Sequence, residues 1–411
     1  MTLGILVGGG PAPGINGVIA SAASEAIACG WRVVGIYDGY RDLASGKTPV
    51  TTDLDLDEMS RIGNSGGSIL RTSRTNPAKD DATLDRCIAA LMAMGIRYLL
   101  CIGGDDTTFG AAKIAERTNG RIGVVTVPKT IDNDLPLPDN APTFGFETAR
   151  SVGSQIIESL IEDARTTTRW YIVVSMGRKS GALALGMFKA SGATLAVIPE
   201  EFPLQTELAT VIDTIAGAIV KQRARGREDG VAVVAEGIAE RVSVEALAAA
   251  LDTAERDSFG HVRLADVPIG TVLRDGVRKR LSELGVHATV LAKDIGYELR
   301  CAKPVPFDLD YTRTLGYGAV RYLAEGGSGA LIALSGGRVQ PVRLEELLDE
   351  QTGRIRTRLV DVTTEAYRVA RDNMTRLEPW DLQGAALERI AAQTNLAPAE
   401  FARQFAPAAA V

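Results

Sequence analysis

Ile122-Gly123-Val124-Val125-Thr126-Val127-Pro128-Lys129-Thr130-Ile131-Asp132-Asn133-Asp134 is the stretch on which the reading of this chain turns. The run Ile122 to Val127, apolar and rich in valine, has the length and composition of a strand buried on both faces of a parallel sheet. The polar segment after it then lies at the carboxyl end of a strand, where open α/β sheets bind ligands. If that segment stays extended, Asp132 and Asp134 point the same way, because strand side chains alternate with period two. Lys129 stands close by. The same residues would also suit a plain strand-to-helix loop capped by aspartates, so the rest of the chain has to decide.

Working outward, Leu3 to Val7 is a short apolar strand that runs into Gly8-Gly9-Gly10-Pro11-Ala12-Pro13-Gly14-Ile15-Asn16, after which helical periodicity continues through Val18, Ile19 and Ala22. Strand, glycine-rich turn and helix amino terminus together make an anion cradle, because first-turn amides are unpaired and glycine lets the backbone approach closely. No Gly-Lys-Ser/Thr follows, so this is not a Walker A loop. Trp31 to Tyr37 reads as a second strand. Arg71 and Arg74, interleaved with hydroxyls after Gly66-Gly67, suit a phosphate clamp or a solvated surface. Asp80 to Met94 is helical in pattern, and the strand Tyr98 to Ile102 ends in Gly103-Gly104-Asp105-Asp106-Thr107-Thr108. Adjacent carboxylates repel unless a cation or donor is present, and magnesium shared with a phosphate substrate fits that need.

The second half repeats the alternation. A helix over Thr148 to Ala164 precedes the strand Tyr171 to Val174, which ends in Met176-Gly177-Arg178; the strand Leu195 to Ile198 and a helix through Leu208, Ile212 and Ile219 lead to Val231 to Ala235 and Glu236. Val286 to Leu291 reads as a further strand, followed by Gly296-Tyr297-Glu298-Leu299-Arg300 and a helix from Tyr311 to Leu323. The tail from Val342 to Val411 is helical and charged. Apolar strands alternating with helices place the chain in the α/β class, and 411 residues exceed one ordinary core.

Composition narrows the function. A net charge of −6 without any basic run argues against a nucleic-acid surface, so an anionic ligand must be held by local arginines, lysines and amides. The four cysteines are scattered without metal-type spacing, as in a reducing cytoplasm. A strand pattern within three residues of Met1 leaves no room for a signal peptide, and no apolar stretch approaches membrane-spanning length. His261 and His287 are the only histidines, which disfavours histidine triads and multi-histidine metal sites.

The order GGGPAPGIN, GGDDT, PKTIDND resembles the phosphofructokinases, over roughly residues 3 to 380. Asp106 and Lys129 resemble their pyrophosphate-dependent branch, since ATP-using members typically carry glycine at both positions. An aspartate there would crowd and repel the α-phosphate of ATP, while the lysine would neutralise terminal oxygens of pyrophosphate. The resemblance implies two Rossmann-like three-layer α/β/α domains with mainly parallel sheets and a cleft between them. Residues 1–145 with about 298–340 would form a donor domain, 146–297 a sugar-phosphate domain, and 341–411 a helical extension packing on the second.

For the site, the resemblance implies Asp132 as base, with Lys129 and Asp134 in support. Gly9, Gly10, Arg74, Asp106 and Lys129 would bind diphosphate, and Asp105 would hold Mg2+. Fructose 6-phosphate would be bound by Thr130, Asp132, Met176, Gly177, Arg178, Glu236, Tyr297 and Arg300, with Arg169 donated by a neighbouring subunit of a homo-oligomer, dimer or tetramer. Leu291 stands where bacterial ATP enzymes carry a second donated arginine, with Lys293 two positions on. The first helix has no lysine or arginine between Ile15 and Trp31, so the family's effector site there is not expected to work. ATP as donor and sedoheptulose 7-phosphate as acceptor stay open as alternatives.

Overall fold

A computed structural model describes residues 1–243, 247 and 268–411; His261 lies outside the described residues. The strands are β1 (Thr2–Val7), β2 (Arg32–Ile36), β3 (Thr51–Asp53), β4 (Tyr98–Gly103), β5 (Gly123–Pro128), β6 (Arg169–Ser175), β7 (Leu195–Val197), β8 (Gly230–Ala235), β9 (Thr289–Ile295), β10 (Ala330–Ser335) and β11 (Arg338–Arg343). The chain divides into two compact units, Met1–Ala149 with Tyr297–Arg358, and Arg150–Gly296 with Leu359–Val411.

The first unit is built on a seven-stranded sheet in the order β11-β10-β5-β4-β1-β2-β3. Its inner strands are parallel, and the two edges, β3 and β11, run antiparallel to their neighbours. Alternation along the strands sorts the core into two layers. Ile5, Val7, Leu100, Ile102, Val125 and Val127 pack on the helices Ile15–Ala28 and Pro306–Ala324, whereas Leu6, Leu99, Cys101 and Val124 face Tyr40, Leu84, Cys87, Leu91 and Ile114 on the opposite side. Helices therefore cover both faces, the arrangement that an all-buried parallel strand requires. The strand order reverses beside β1, with β2 on one flank and β4 on the other, so a topological switch point opens at the carboxyl ends of β1 and β4.

The second unit carries a four-stranded parallel sheet, β7-β8-β6-β9. Glycine-free apolar runs such as Val231-Ala232-Val233-Val234-Ala235 are fully buried in it. Among the described residues no helix is long and apolar enough to cross a membrane.

Two expected boundaries move. The strand read from Val286 begins instead at Thr289: Gly285 is left-handed (φ 68°) and the Val286 amide bonds to Leu281 O at 2.8 Å, so Val286 closes the preceding helix. Residues 341–358, read as part of the C-terminal extension, lie in the first unit. The reason is a hairpin: Gly336 (φ 55°) and Gly337 (φ 76°) make the two-residue turn that folds β11 back on β10.

Candidate active site

Three glycine-bearing or polar segments leave adjacent strands β1, β4 and β5 at their carboxyl ends. Main-chain bonds carry the sheet register into them: the Gly8 amide donates to Ile102 O and the Lys129 amide to Gly103 O, each at 2.9 Å. Thr107, buried in the first turn of helix Asp105–Thr118, fills the space between the first two segments. A Cβ on Gly8 or on Gly103 would overlap its side chain, so both positions are closed to any larger residue. The glycines of these two motifs thus serve the packing that brings β1 and β4 turns together.

Lys129 is buried, and its ammonium donates to Gly10 O. A Cβ on Gly9 would lie 3.1 Å from Lys129 Nζ. The lysine therefore lies across the Gly9–Gly10 turn, with its charge at the switch point. The Gly9 amide itself is used, donating to Ser73 O at 2.8 Å. Gly9 shapes the turn through its positive φ of 80°. Asp105 and Asp106 occupy the first turn of helix Asp105–Thr118, with Gly104 as cap. The helix amino terminus attracts negative charge, so it supplies part of the compensation that their adjacency demands.

The segment after β5 is not extended. Asn133 is left-handed (φ 56°), so Asp132 and Asp134 do not alternate as they would in a strand: Asp134 is buried and Asp132 half-buried. The turn is pinned locally. The Asp132 amide donates to Thr130 Oγ1 at 3.0 Å, the Thr143 amide to Asn133 Oδ1 at 3.0 Å, and Thr143 Oγ1 to Thr130 O at 2.7 Å. Asp308, also buried, accepts from the Gly145 amide (2.9 Å), the Thr148 amide (2.8 Å) and Thr148 Oγ1 (2.5 Å), fixing the start of the helix that follows. Burial pushes its carboxyl above the ordinary carboxylate range, against those bonds.

Other first-unit residues fall as follows. Arg300 lies beside the β1 turn, since a Cβ on Gly10 would be 3.5 Å from its guanidinium carbon; it also stands over the exposed Tyr297 ring at 5.2 Å. Arg74 is exposed. Arg71 does not join it in a clamp, because its guanidinium turns to Asp38 at 3.6 Å and to the Tyr37 ring at 5.8 Å.

In the second unit, Met176-Gly177-Arg178 and Glu236 leave the carboxyl ends of the paired strands β6 and β8. Glu236 Oε1 accepts from the Gly177 amide (3.1 Å) and the Arg178 amide (2.8 Å). Gly237 allows this, because a Cβ there would overlap Arg178 O. Glu200 accepts from the Gly181 amide at 2.9 Å, one turn further on, and from the Val360 amide at 3.0 Å. Arg169 opens β6 at its amino end, 3.9 Å from Asp163. Seven strand residues span about 20 Å, so Arg169 stands at the opposite end of the sheet from Arg178 and Glu236 of its own unit.

Thr107, Thr143, Glu200 and Arg358, which bonds Asn133 (below), carry no signal in a single sequence; each acts through partners distant along the chain. No group of three or more His, Cys, Asp or Glu suited to a metal exists among the described residues. The donor set at the switch point, Asp105 and Asp106, instead suits a hard divalent cation that takes its remaining ligands from phosphate oxygens and water.

Comparison with known proteins accords with this geometry. The phosphofructokinase family profile matches residues 2–323. A pyrophosphate–fructose 6-phosphate 1-phosphotransferase from Thermotoga maritima is 51% identical over 98% of this chain and 97% of its own length, and one from Naegleria fowleri is 44% identical over 98% and 95%. The crystal structure of a pyrophosphate-dependent phosphofructokinase from Marinobacter aquaeolei matches with a TM-score of 0.69 at 18% identity, covering 91% of this chain and 90% of that one, which speaks for the fold alone. With the switch-point motifs, the two mainly parallel sheets and these matches together, the chain belongs to the phosphofructokinase family.

Proposed function

We propose that this chain catalyses reversible phosphoryl transfer from diphosphate to the 1-hydroxyl of fructose 6-phosphate, giving fructose 1,6-bisphosphate and phosphate. The observation that carries the donor assignment is the Lys129 ammonium lying across the Gly9–Gly10 turn, with Asp106 in the neighbouring first helical turn. The Asp106 carboxylate would crowd and repel a nucleotide's α-phosphate, and the Lys129 charge meets the terminal oxygens of a shorter donor.

Phosphoryl transfer needs positioning and charge neutralisation more than covalent help. Asp132, half-buried in its pinned turn, accepts the proton of the attacking 1-hydroxyl, and Asp134 orients that turn from its buried side. Lys129, Arg74 and the Gly10 amide balance the transferring and departing oxygens. Asp105, with Asp106 beside it, would hold Mg2+, which when bound would supply positive charge to offset that of the diphosphate. Thr130, Met176, Gly177, Arg178, Glu236, Tyr297 and Arg300 serve the sugar phosphate. Glu236, with one carboxylate oxygen engaged by the Gly177 and Arg178 amides, has the other oxygen for a sugar hydroxyl.

Arg169 is too far along β6 to serve the same pocket as Arg178 of its own chain, which supports donation to a second copy in a homo-oligomer. Four free cysteines accord with a cytoplasmic setting.

The test compares pyrophosphate with ATP at equal concentration, with magnesium and fructose 6-phosphate, by formation of the bisphosphate. Turnover with pyrophosphate alone is expected; turnover with ATP alone would refute the donor assignment, and faster turnover of sedoheptulose 7-phosphate would move the acceptor. In the double variant Lys129→Gly, Asp106→Gly, ATP use should appear and pyrophosphate use fall.

A further inference from the structure

The turn that carries Asp132 and Asp134 is held from a point more than two hundred residues away. Arg358, at the end of the first unit, donates through Nε to Asn133 O at 2.9 Å, through Nη1 to Ala141 O at 2.8 Å and through Nη2 to Asn133 Oδ1. Its own amide donates to Asp134 O at 2.7 Å. Four bonds from one residue thus reach three residues of a single loop, 133–141. The Asn133 side chain that receives one of them also receives the Thr143 amide, and Thr143 in turn closes on Thr130 O. The Asp134 carboxylate and the Tyr311 hydroxyl face the guanidinium, which is largely withdrawn from water.

The pattern is that of a planar fork satisfying main-chain oxygens at fixed angles, which a lysine's single point of donation reproduces only in part. It is applied where the backbone adopts the left-handed conformation at Asn133, which asparagine tolerates better than other non-glycine residues and which these bonds hold in place. Without these bonds Asn133 would be free to return to an extended conformation, and Asp132 and Asp134 would move with it.

We propose that Arg358 is a positioning residue for the reaction: it fixes the 132–134 turn so that the Asp132 carboxylate meets the attacking hydroxyl. This rests on the functional reading above, and deepens it by naming what sets the geometry of the proposed base. A misplacement of about 1 Å at a reacting group costs on the order of 10²-fold in rate. Arg358 donates to Asn133, Asp134 and Ala141 and to none of the residues assigned to diphosphate, so its loss should lower kcat and leave the affinity for pyrophosphate nearly untouched.

The experiment compares wild type, Arg358→Met and Arg358→Lys by steady-state kinetics in pyrophosphate and fructose 6-phosphate, with amide hydrogen exchange on the same samples. The expected result is a kcat about 10²-fold lower in R358M, a KM for pyrophosphate within threefold of wild type, partial recovery in R358K, and lost protection confined to residues 130–143. A kcat within threefold of wild type would overturn the proposal. So would equal loss in R358K and R358M with protection lost throughout the first unit, which is the behaviour of a merely structural residue. If R358M does not fold, R358K and Asn133→Ala, which removes one acceptor, carry the same test. If the wild type itself produces no bisphosphate, the functional reading falls, and exchange in the 130–143 loop still decides whether Arg358 holds it.

Discussion

Replacing Lys129 by methionine keeps the stem and removes the charge. Lys129 is 4% exposed, so water does little to screen it, and the ammonium lies within hydrogen-bonding range of the Gly9–Gly10 turn. At a separation of about 4 Å and an effective dielectric constant of about 20, a unit charge facing a phosphate oxygen is worth about 4 kcal/mol. Losing a comparable preorganised donor costs about 2.7–4 kcal/mol in measured cases. Taking about 3 kcal/mol, kcat/KM for pyrophosphate should fall by about 150-fold, while KM for fructose 6-phosphate stays within threefold. Gly10 O also loses its donor, a destabilisation of about 1 kcal/mol that thermal unfolding would register. The assay is initial-rate bisphosphate formation with pyrophosphate varied at saturating sugar phosphate. A loss below tenfold would refute the view that Lys129 neutralises the donor.

Glu236→Gln should raise KM for fructose 6-phosphate at least tenfold with a smaller change in kcat, because the amide group cannot accept from the Gly177 and Arg178 amides as strongly as the carboxylate does; unchanged KM would place the sugar elsewhere. Asp308→Ala leaves three buried donors unmatched and should destabilise the protein by about 3 kcal/mol or more, read as denaturant midpoint. Because burial raises the Asp308 pKa above its unfolded value, the folded state binds the extra proton just above the ordinary carboxylate range. Its contribution therefore weakens stability as pH rises through that window, and Asp308→Asn should remove this slope; a slope unchanged in the variant would contradict the assignment. Arg169→Ala and Arg178→Ala, each expected to be poorly active alone, should regain activity when dissociated, mixed and reassembled, whereas no recovery would refute donation between subunits.

The parallel strands were legible because buried strands are apolar throughout: β1, β4, β5 and β8 fall within a residue or two of their expected limits. Val286 misled because an apolar residue that closes a helix looks like the first residue of a strand. The Gly336-Gly337 pair was a usable hairpin signal that the helical look of the tail obscured. In the candidate site, motif positions were readable, since Gly104, Asp105, Lys129 and Glu236 all follow strands. Their orientation was not. Asparagine at 133 is compatible with a left-handed turn, but the groups that hold it there, from Thr143 and Arg358, are distant in sequence. Likewise the Gly9 amide looks free in sequence but is taken by Ser73 O, in a segment with no regular pattern.

The two antiparallel edges of the seven-stranded sheet bear on how the protein behaves in crowded solution. An open, flat, apolar edge invites pairing with another chain and hence aggregation. Here one edge is three residues long, Thr51-Thr52-Asp53, and the other, Arg338-Val339-Gln340-Pro341-Val342-Arg343, is bounded by arginines and interrupted by Pro341, which lacks an amide donor. Both edges of the sheet that carries the Gly9–Gly10 and Lys129 turns are thus poor templates for a further strand.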